Sequence, residues 1–197
     1  LDPNLLIDTI LPPDNIVGSV VYPACEILKP GTIRHIAGNR FSLGEPEGSE
    51  SDRLKFISDI LKKAGFRAPI QKNIRDEIWL KLIGNLSFNP ISALTGATLE
   101  QICNDQGTEA IVRAMMTEAK LIAEELGAKI NMSIEKRIEG ARKVGAHKTS
   151  MLQDIEAGKP IEIDSIIIAV KELGELTCSP TPYLSLIHIS EPTRPID

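Results

Sequence analysis

The sequence from residue 77 to residue 90 reads Glu77-Ile78-Trp79-Leu80-Lys81-Leu82-Ile83-Gly84-Asn85-Leu86-Ser87-Phe88-Asn89-Pro90. Lys81, Asn85 and Asn89 recur in it every fourth residue. At about 100° per residue, these positions drift by only about 80° around a helix, so they form one narrow polar stripe on an otherwise apolar rod. This pattern is typical of a helix buried in a helical domain, with its polar stripe facing a polar cavity.

The same spacing also fits a half-exposed helix whose three polar residues face solvent, and spacing alone does not separate the two interpretations. In a cavity, the two amides would offer hydrogen-bond donors and acceptors, and the lysine a positive charge and a transferable proton if desolvation lowers its pKa. Pro90 disfavours the α conformation at Asn89. The sequence therefore predicts a kink that turns Asn89 toward a pocket.

Two later segments carry further polar candidates. Ser150 opens the run Ser150-Met151-Leu152-Gln153-Asp154, and Glu162 follows Gly158-Lys159-Pro160-Ile161. A purely structural interpretation is available for each. Thr149 or Ser150 would cap a short helix, with Gln153 completing a capping box, and Glu162 would be a first-turn glutamate favoured by the helix dipole.

The periodicity of the remaining chain predicts a mainly α fold after a short β-rich start. Residues 1–48 contain six of the thirteen prolines and a strand-like run, Ile16 to Val21. Lys29-Pro30-Gly31 marks a turn, and a hairpin is predicted with Thr32–Ile36 and Arg40–Leu43 around Ala37-Gly38-Asn39. Helical spacing begins at Ser51, and we expect helices ended by Gly65 and Gly127, one capped by Ser133, and a last one over Ile161–Leu173.

We therefore divide the chain into residues 1–48, residues 49–183 and residues 184–197. The chain starts at Leu1, so its N-terminus is expected not to be native. The last segment resembles the translation of a sequencing-library adaptor, with a natural Pro-rich tail as the alternative. We exclude it from the fold and expect it to be poorly ordered.

Composition restricts the class of partner. The formal net charge is −5 and the chain has no basic run, so we expect no nucleic-acid partner and no anionic membrane partner. No apolar stretch approaches the roughly 18 residues of a membrane span, and no signal peptide is visible. Three widely spaced cysteines suit a reducing, cytoplasmic compartment, and the three histidines never pair with cysteines at zinc-ligand spacing, so we expect no metal site.

Taken in order, the polar segments resemble the C-terminal part of the ketopantoate reductase (2-dehydropantoate 2-reductase) family, over roughly residues 5–183. The matching residues are Asn73-Ile74-Arg75, Trp79, Lys81-Leu82, Asn85, Asn89-Pro90, Ser150 to Asp154 and Glu162-Ile163-Asp164. The resemblance implies an all-helical C-terminal domain of the 6-phosphogluconate dehydrogenase C-terminal-like type, preceded by a β-rich remnant of a Rossmann domain.

The resemblance also implies an activity. Members reduce 2-dehydropantoate to pantoate with NADPH, a step toward pantothenate and coenzyme A. By motif, Lys81 would donate the proton to the ketone oxygen, Asn85, Asn89 and Ser150 would bind the substrate, and Ala24 and Glu162 would contact NADP(H). His147 stands where some members have a substrate-binding asparagine.

One departure limits what this chain is expected to do alone. The Gly-x-Gly-x-x-Gly dinucleotide fingerprint is absent from its 197 residues. We therefore expect the chain to lack most of the NADPH site and to be inactive by itself.

Two rival functions stay open beside reduction of 2-dehydropantoate. One is a related two-domain reductase that acts on another small 2-oxo acid. The other is a non-catalytic helical dimerisation module whose polar stripe is structural; a homodimer is compatible with either class.

Overall fold

The structure is a computed structural model that describes residue 12 and residues 15–189. The chain divides into two compact units, and the division falls within one helix, between Ile78 and Trp79. The domain boundary predicted at residues 48 and 49 stays a prediction, because a division inside a continuous helix does not define where a folding domain ends.

The unit that ends at Ile78 contains two antiparallel strand pairs. Strand β1 (Gly18–Val21) pairs with β4 (Phe41–Gly44), and β2 (Ala24–Lys29) pairs with β3 (Thr32–Ala37). The hairpin predicted around residues 37–39 is wrong, because its two strands pair with different partners. The tight turn lies instead at Pro30-Gly31, where Gly31 adopts a φ of 77° that glycine tolerates without steric cost.

The first helix of this unit follows the predicted pattern. Helix α1 runs over Asp52–Lys63, and the Ser51 side chain caps it by accepting a hydrogen bond from the Leu54 amide at 3.1 Å. Gly65 follows the helix with a φ of 90°, as its predicted terminator. Leu54 packs with Leu43 and Ala68 in a small core.

The remaining unit is helical, which confirms the mainly α prediction. Helix α2 (Ile74–Thr95) enters this unit at Trp79 and continues through Pro90, so the proline does not end it. The following elements are α3 (Leu99–Asn104), α4 (Gln106–Glu125), α5 (Ile134–Val144), α6 (Ser150–Glu156), a π-helical turn (Asp164–Ile168), α7 (Ala169–Leu176) and α8 (Pro182–Ile189).

Helix α4 supplies the centre of the core. Its Met115 and Ile122 are fully buried and belong to the same apolar cluster as Leu86 of α2 and Ile102 of α3. Two predicted helix ends are confirmed: Ser133 caps α5 by accepting from the Lys136 amide, and Gly127 follows α4 with positive φ. This core holds α2 with one face against the apolar cluster.

The last predicted helix differs from the structure. It was expected to begin at Ile161, but helical residues begin at Ile163, and a π-helical turn precedes α7. Pro160 disfavours the α conformation at Lys159, so the helix begins after the proline. The extra residue of the π-turn accompanies two consecutive buried isoleucines, Ile166 and Ile167.

The expectation of poor order after residue 183 is wrong for residues 184–189. These residues belong to α8, where Leu184 and Ile187 are buried in the core. The Glu118 carboxylate of α4 accepts hydrogen bonds from the Tyr183 and Leu184 amides at 2.8 and 3.0 Å. Residues 190–197 lie outside the described residues.

Among the described residues, no helix combines the length and hydropathy that crossing a membrane requires.

Candidate functional site

Helices α2, α5 and α6 surround a cavity of about 420 Å³ within the helical unit. This volume lies in the range of small-molecule sites. We call it the α2–α5 cavity. Its lining residues are Gly84, Asn85, Phe88, Asn89, Leu99, Arg137, Gly140, Ala141, Val144, His147, Thr149 and Ser150.

Two of the three residues of the polar stripe of α2 face this cavity. Asn85 and Asn89 both line it, and Asn89 is only 7% exposed. The alternative in which the stripe faces open solvent therefore fails at Asn89. An asparagine amide in such a cavity offers both a donor and an acceptor to a bound polar molecule.

The N-terminus of α6 separates a structural residue from a candidate binding residue. Thr149 is the N-cap and accepts a hydrogen bond from the Leu152 amide at 3.3 Å. The predicted capping box with Gln153 is not formed, since the side-chain amide of Gln153 donates to the Lys148 carbonyl oxygen instead. Ser150 lines the cavity, and its hydroxyl is not needed for the cap because Thr149 fills that position.

Lys81 lies one helical turn before Asn85 on the same stripe and is half-buried. It is not among the residues that line the α2–α5 cavity. Desolvation lowers the pKa of Lys81, and the negative charge of Glu162 opposes that shift. The structure therefore brings the predicted proton donor and the predicted cofactor-contacting carboxylate into electrostatic contact.

Glu162 immediately precedes the first helical residue, Ile163. The interpretation of Glu162 as a residue near a helix N-terminus is therefore compatible with its position. Its charge nevertheless acts on Lys81, which a purely local dipole role would not require.

Ala24 is the remaining sequence-predicted site residue. It is the first residue of β2, opposite Ala37, in the unit that ends at Ile78. The structure thus groups Asn85, Asn89 and Ser150 around one cavity, pairs Lys81 with Glu162, and places Ala24 in the other unit. The role of each of these six residues stays a prediction.

Sequence analysis missed a further residue of the cavity, Arg137 on α5. Its guanidinium lies against Gly84 of α2: a Cβ atom at Gly84 would lie 2.1 Å from Arg137 Nη2. The sequence does contain a signal that Arg137 faces a cavity. Gly140 and Ala141, three and four residues after Arg137, are small residues on the same helical face, and both line the cavity with it.

The charge of the cavity wall is positive. Arg137 carries a permanent charge, His147 is the other titratable residue, and none of the described lining residues is Asp or Glu. A wall with one guanidinium, two amides and a hydroxyl favours a small anion that also carries neutral polar groups.

These features define a helical domain with an anion-favouring polar cavity beside a half-buried lysine. The sequence model described as the C-terminal domain of ketopantoate reductase PanE/ApbA matches residues 73–189. The chain therefore belongs to the ketopantoate reductase family.

Individual relatives agree with this assignment. The chain is 52% identical over 187 residues to a 2-dehydropantoate 2-reductase of Mesorhizobium japonicum, and the match covers 95% of the chain and 57% of the relative. The crystal structure of 2-dehydropantoate 2-reductase from Methylococcus capsulatus is similar with a TM-score of 0.86 at 30% identity, over 96% of this chain and 65% of that one. The chain thus spans a little more than half the length of its curated relative.

A more distant structure shares the fold alone. D-mandelate dehydrogenase in complex with NADH superimposes with a TM-score of 0.83 at 20% identity, over 92% of this chain and 63% of that chain.

Proposed function

We propose that the protein containing this chain reduces 2-dehydropantoate to pantoate with NADPH, with Lys81 as the proton donor. The observation that carries the proposal is the position of Lys81. It is a half-buried lysine with a lowered pKa, one helical turn before Asn85, which lines an anion-favouring cavity. Family membership supplies the choice of substrate.

The chemistry asks for a cation at this position. Reduction of a ketone places negative charge on the carbonyl oxygen, and an ammonium group beside that oxygen stabilises the charge and then supplies the proton. Because its pKa is lowered, the Lys81 ammonium releases its proton more readily than an exposed lysine does.

The cavity residues have complementary roles. Asn85 and Asn89 are able to donate to and accept from the hydroxyl and carbonyl groups of the substrate, and Ser150 of α6 adds a hydroxyl. The cavity volume of about 420 Å³ suits a small branched acid.

Within the helical unit, Glu162 is a residue that fits a nicotinamide cofactor. The Glu162 carboxylate is able to accept hydrogen bonds from hydroxyl or amide groups, and its charge acts on the proposed proton donor. NADPH, when bound, supplies the hydride, and Glu162 and Ala24 would contribute to holding it. Glu162 also sustains the protonated state of Lys81.

A second candidate function is the reduction of another 2-oxo acid. One observation favours it: His147 lines the cavity where some family members have asparagine. Imidazole is larger and more apolar than carboxamide, so it favours a different group at that wall. The cytoplasmic location and the homodimer stay predictions under either function.

A steady-state assay separates these functions. The full-length protein is given NADPH with 2-dehydropantoate, 2-oxoisovalerate or phenylglyoxylate, and NADPH oxidation is followed. We expect kcat/KM to be highest for 2-dehydropantoate. A higher value for either other acid would support the second candidate, and no oxidation with any of them would overturn both.

A further inference from the structure

We propose that Arg137 binds the carboxylate of the 2-oxo acid and thereby selects acids over their neutral analogues. This inference rests on the proposed function, because it assigns the substrate's carboxylate to a position in the same cavity. It concerns a residue that the motif comparison does not point to.

The Arg137 side chain packs against α2 at Gly84. A glycine inside a helix costs about 1 kcal/mol relative to alanine, yet α2 has Gly84 at the place where the guanidinium approaches. A Cβ atom there would lie 2.1 Å from Nη2 and 2.7 Å from Nε, so any larger residue would force the guanidinium to shift. The missing side chain at residue 84 is what lets the guanidinium rest on the α2 backbone.

The contact between Arg137 and Gly84 lies close to Lys81 along α2. Gly84 follows Lys81 by three residues, so both positions lie on neighbouring turns of one helical face. Asn85 is the next residue and lines the same cavity. Because Arg137 contacts Gly84 and lines the cavity with Asn85, a carboxylate bound at Arg137 would lie beside the part of α2 that follows Lys81.

The charge of Arg137 suits an anionic ligand. The Nε atom of Arg137 is buried, and the described lining of the α2–α5 cavity includes Arg137 but neither Asp nor Glu. The planar guanidinium offers two parallel N–H donors that match a carboxylate. In a 2-oxo acid the carboxylate and the carbonyl are on adjacent carbons, so a carboxylate held by Arg137 fixes the position of the carbonyl group as well.

The test compares an acid with its neutral analogue, independently of turnover. Affinities for pantoate and for its carboxamide are measured by calorimetry on the full-length protein. The variants are Arg137→Met, Arg137→Lys and Gly84→Ala. Lys136→Met, at an exposed neighbouring position on α5, is the matched control.

We expect Arg137→Met to weaken pantoate binding by about 10- to 100-fold, the usual effect of losing a hydrogen bond to a charged group, and to weaken carboxamide binding by less, about 2- to 10-fold, because a neutral amide forms weaker hydrogen bonds. Arg137→Lys should recover part of the loss, because it restores the charge without the planar fork. Gly84→Ala should act in the same direction as Arg137→Met, since it displaces the guanidinium without removing it. Lys136→Met should leave both affinities unchanged.

Equal losses for the acid and the carboxamide, or no loss for the acid, would overturn the inference. Gly84→Ala keeps the test decisive if Arg137→Met does not fold, as judged by thermal unfolding. If the wild type reduces 2-dehydropantoate but Arg137→Met keeps its preference for the acid, only this inference fails. If the preference depends on Arg137 but no 2-oxo acid is reduced, only the proposed function fails.

Discussion

The charge of Glu162 raises the pKa of Lys81, while the burial of Lys81 lowers that pKa by more. The two residues come from different parts of the helical unit, one from α2 and one from the segment just before the π-helical turn. Their coupling has a direct consequence: Glu162 keeps the half-buried lysine protonated over a wider pH range than burial alone would allow.

The pH dependence of reduction should report this coupling. Reduction requires the ammonium form of Lys81, so kcat/KM should fall as the pH rises through a pKa below the ordinary lysine value of 10.5. Glu162→Gln removes the charge that raises this pKa, and the alkaline limb should then move to lower pH. The profiles of full-length wild type and variant are compared, with Glu175→Gln, exposed on α7, as the control. A limb that stays in place or moves to higher pH would contradict the coupling.

The lowered pKa of Lys81 also makes the free energy of unfolding depend on pH. Because the folded-state pKa of Lys81 lies below its unfolded value, the native state binds fewer protons than the unfolded state between those two pKa values. The contribution of Lys81 should therefore make the protein more stable as the pH rises through that window. Urea unfolding of wild type and Lys81→Met across alkaline pH measures it: the wild type should gain stability relative to the variant, and a relative loss would contradict the lowered pKa.

Two adjacent residues should have separable effects. Thr149→Ala removes the α6 cap and should lower the free energy of unfolding by about 1 kcal/mol. Ser150→Ala should change stability by less than about 0.5 kcal/mol but raise KM, because its hydroxyl lines the cavity. Thermal unfolding and steady-state kinetics check the pair. Equal stability losses would mean that Ser150 also has a structural role.

A negative charge at Asn89 should repel the substrate. Asn89→Asp preserves the shape of a residue that is 7% exposed in the cavity wall, and its new carboxylate should raise KM for a 2-oxo acid at least about 10-fold at neutral pH. Lowering the pH should restore part of the affinity by protonating that carboxyl. Asn104→Asp, exposed on α3, is the control. An unchanged KM would place the substrate elsewhere.

Local sequence signals predicted the helical ends well. Gly65, Gly127 and Ser133 lie at the helix ends where they were expected, because caps and C-terminal glycines act through neighbouring backbone groups. Strand pairing was less predictable. The hairpin around Gly38 was wrong because two turn signals compete in that segment, and pairing depends on contacts beyond each turn.

The candidate site was predictable only in part. The four-residue spacing placed Asn85 and Asn89 on one face of α2, and the structure brings that face to a cavity. Arg137 was missed because its role depends on the approach of α5 to Gly84, which is a tertiary contact. The π-helical turn was missed since a one-residue insertion in a helix leaves no distinct pattern among consecutive isoleucines.

The central claim is that Lys81 supplies the proton, and the most direct measurement is kcat for the reduction of 2-dehydropantoate by full-length Lys81→Met. The control is Lys120→Met, since Lys120 is another half-buried lysine and forms an ion pair with Glu124. We expect kcat to fall by about 10²- to 10⁴-fold for Lys81→Met and to stay near the wild-type value for Lys120→Met, with both variants folded. A wild-type kcat in Lys81→Met would contradict the account.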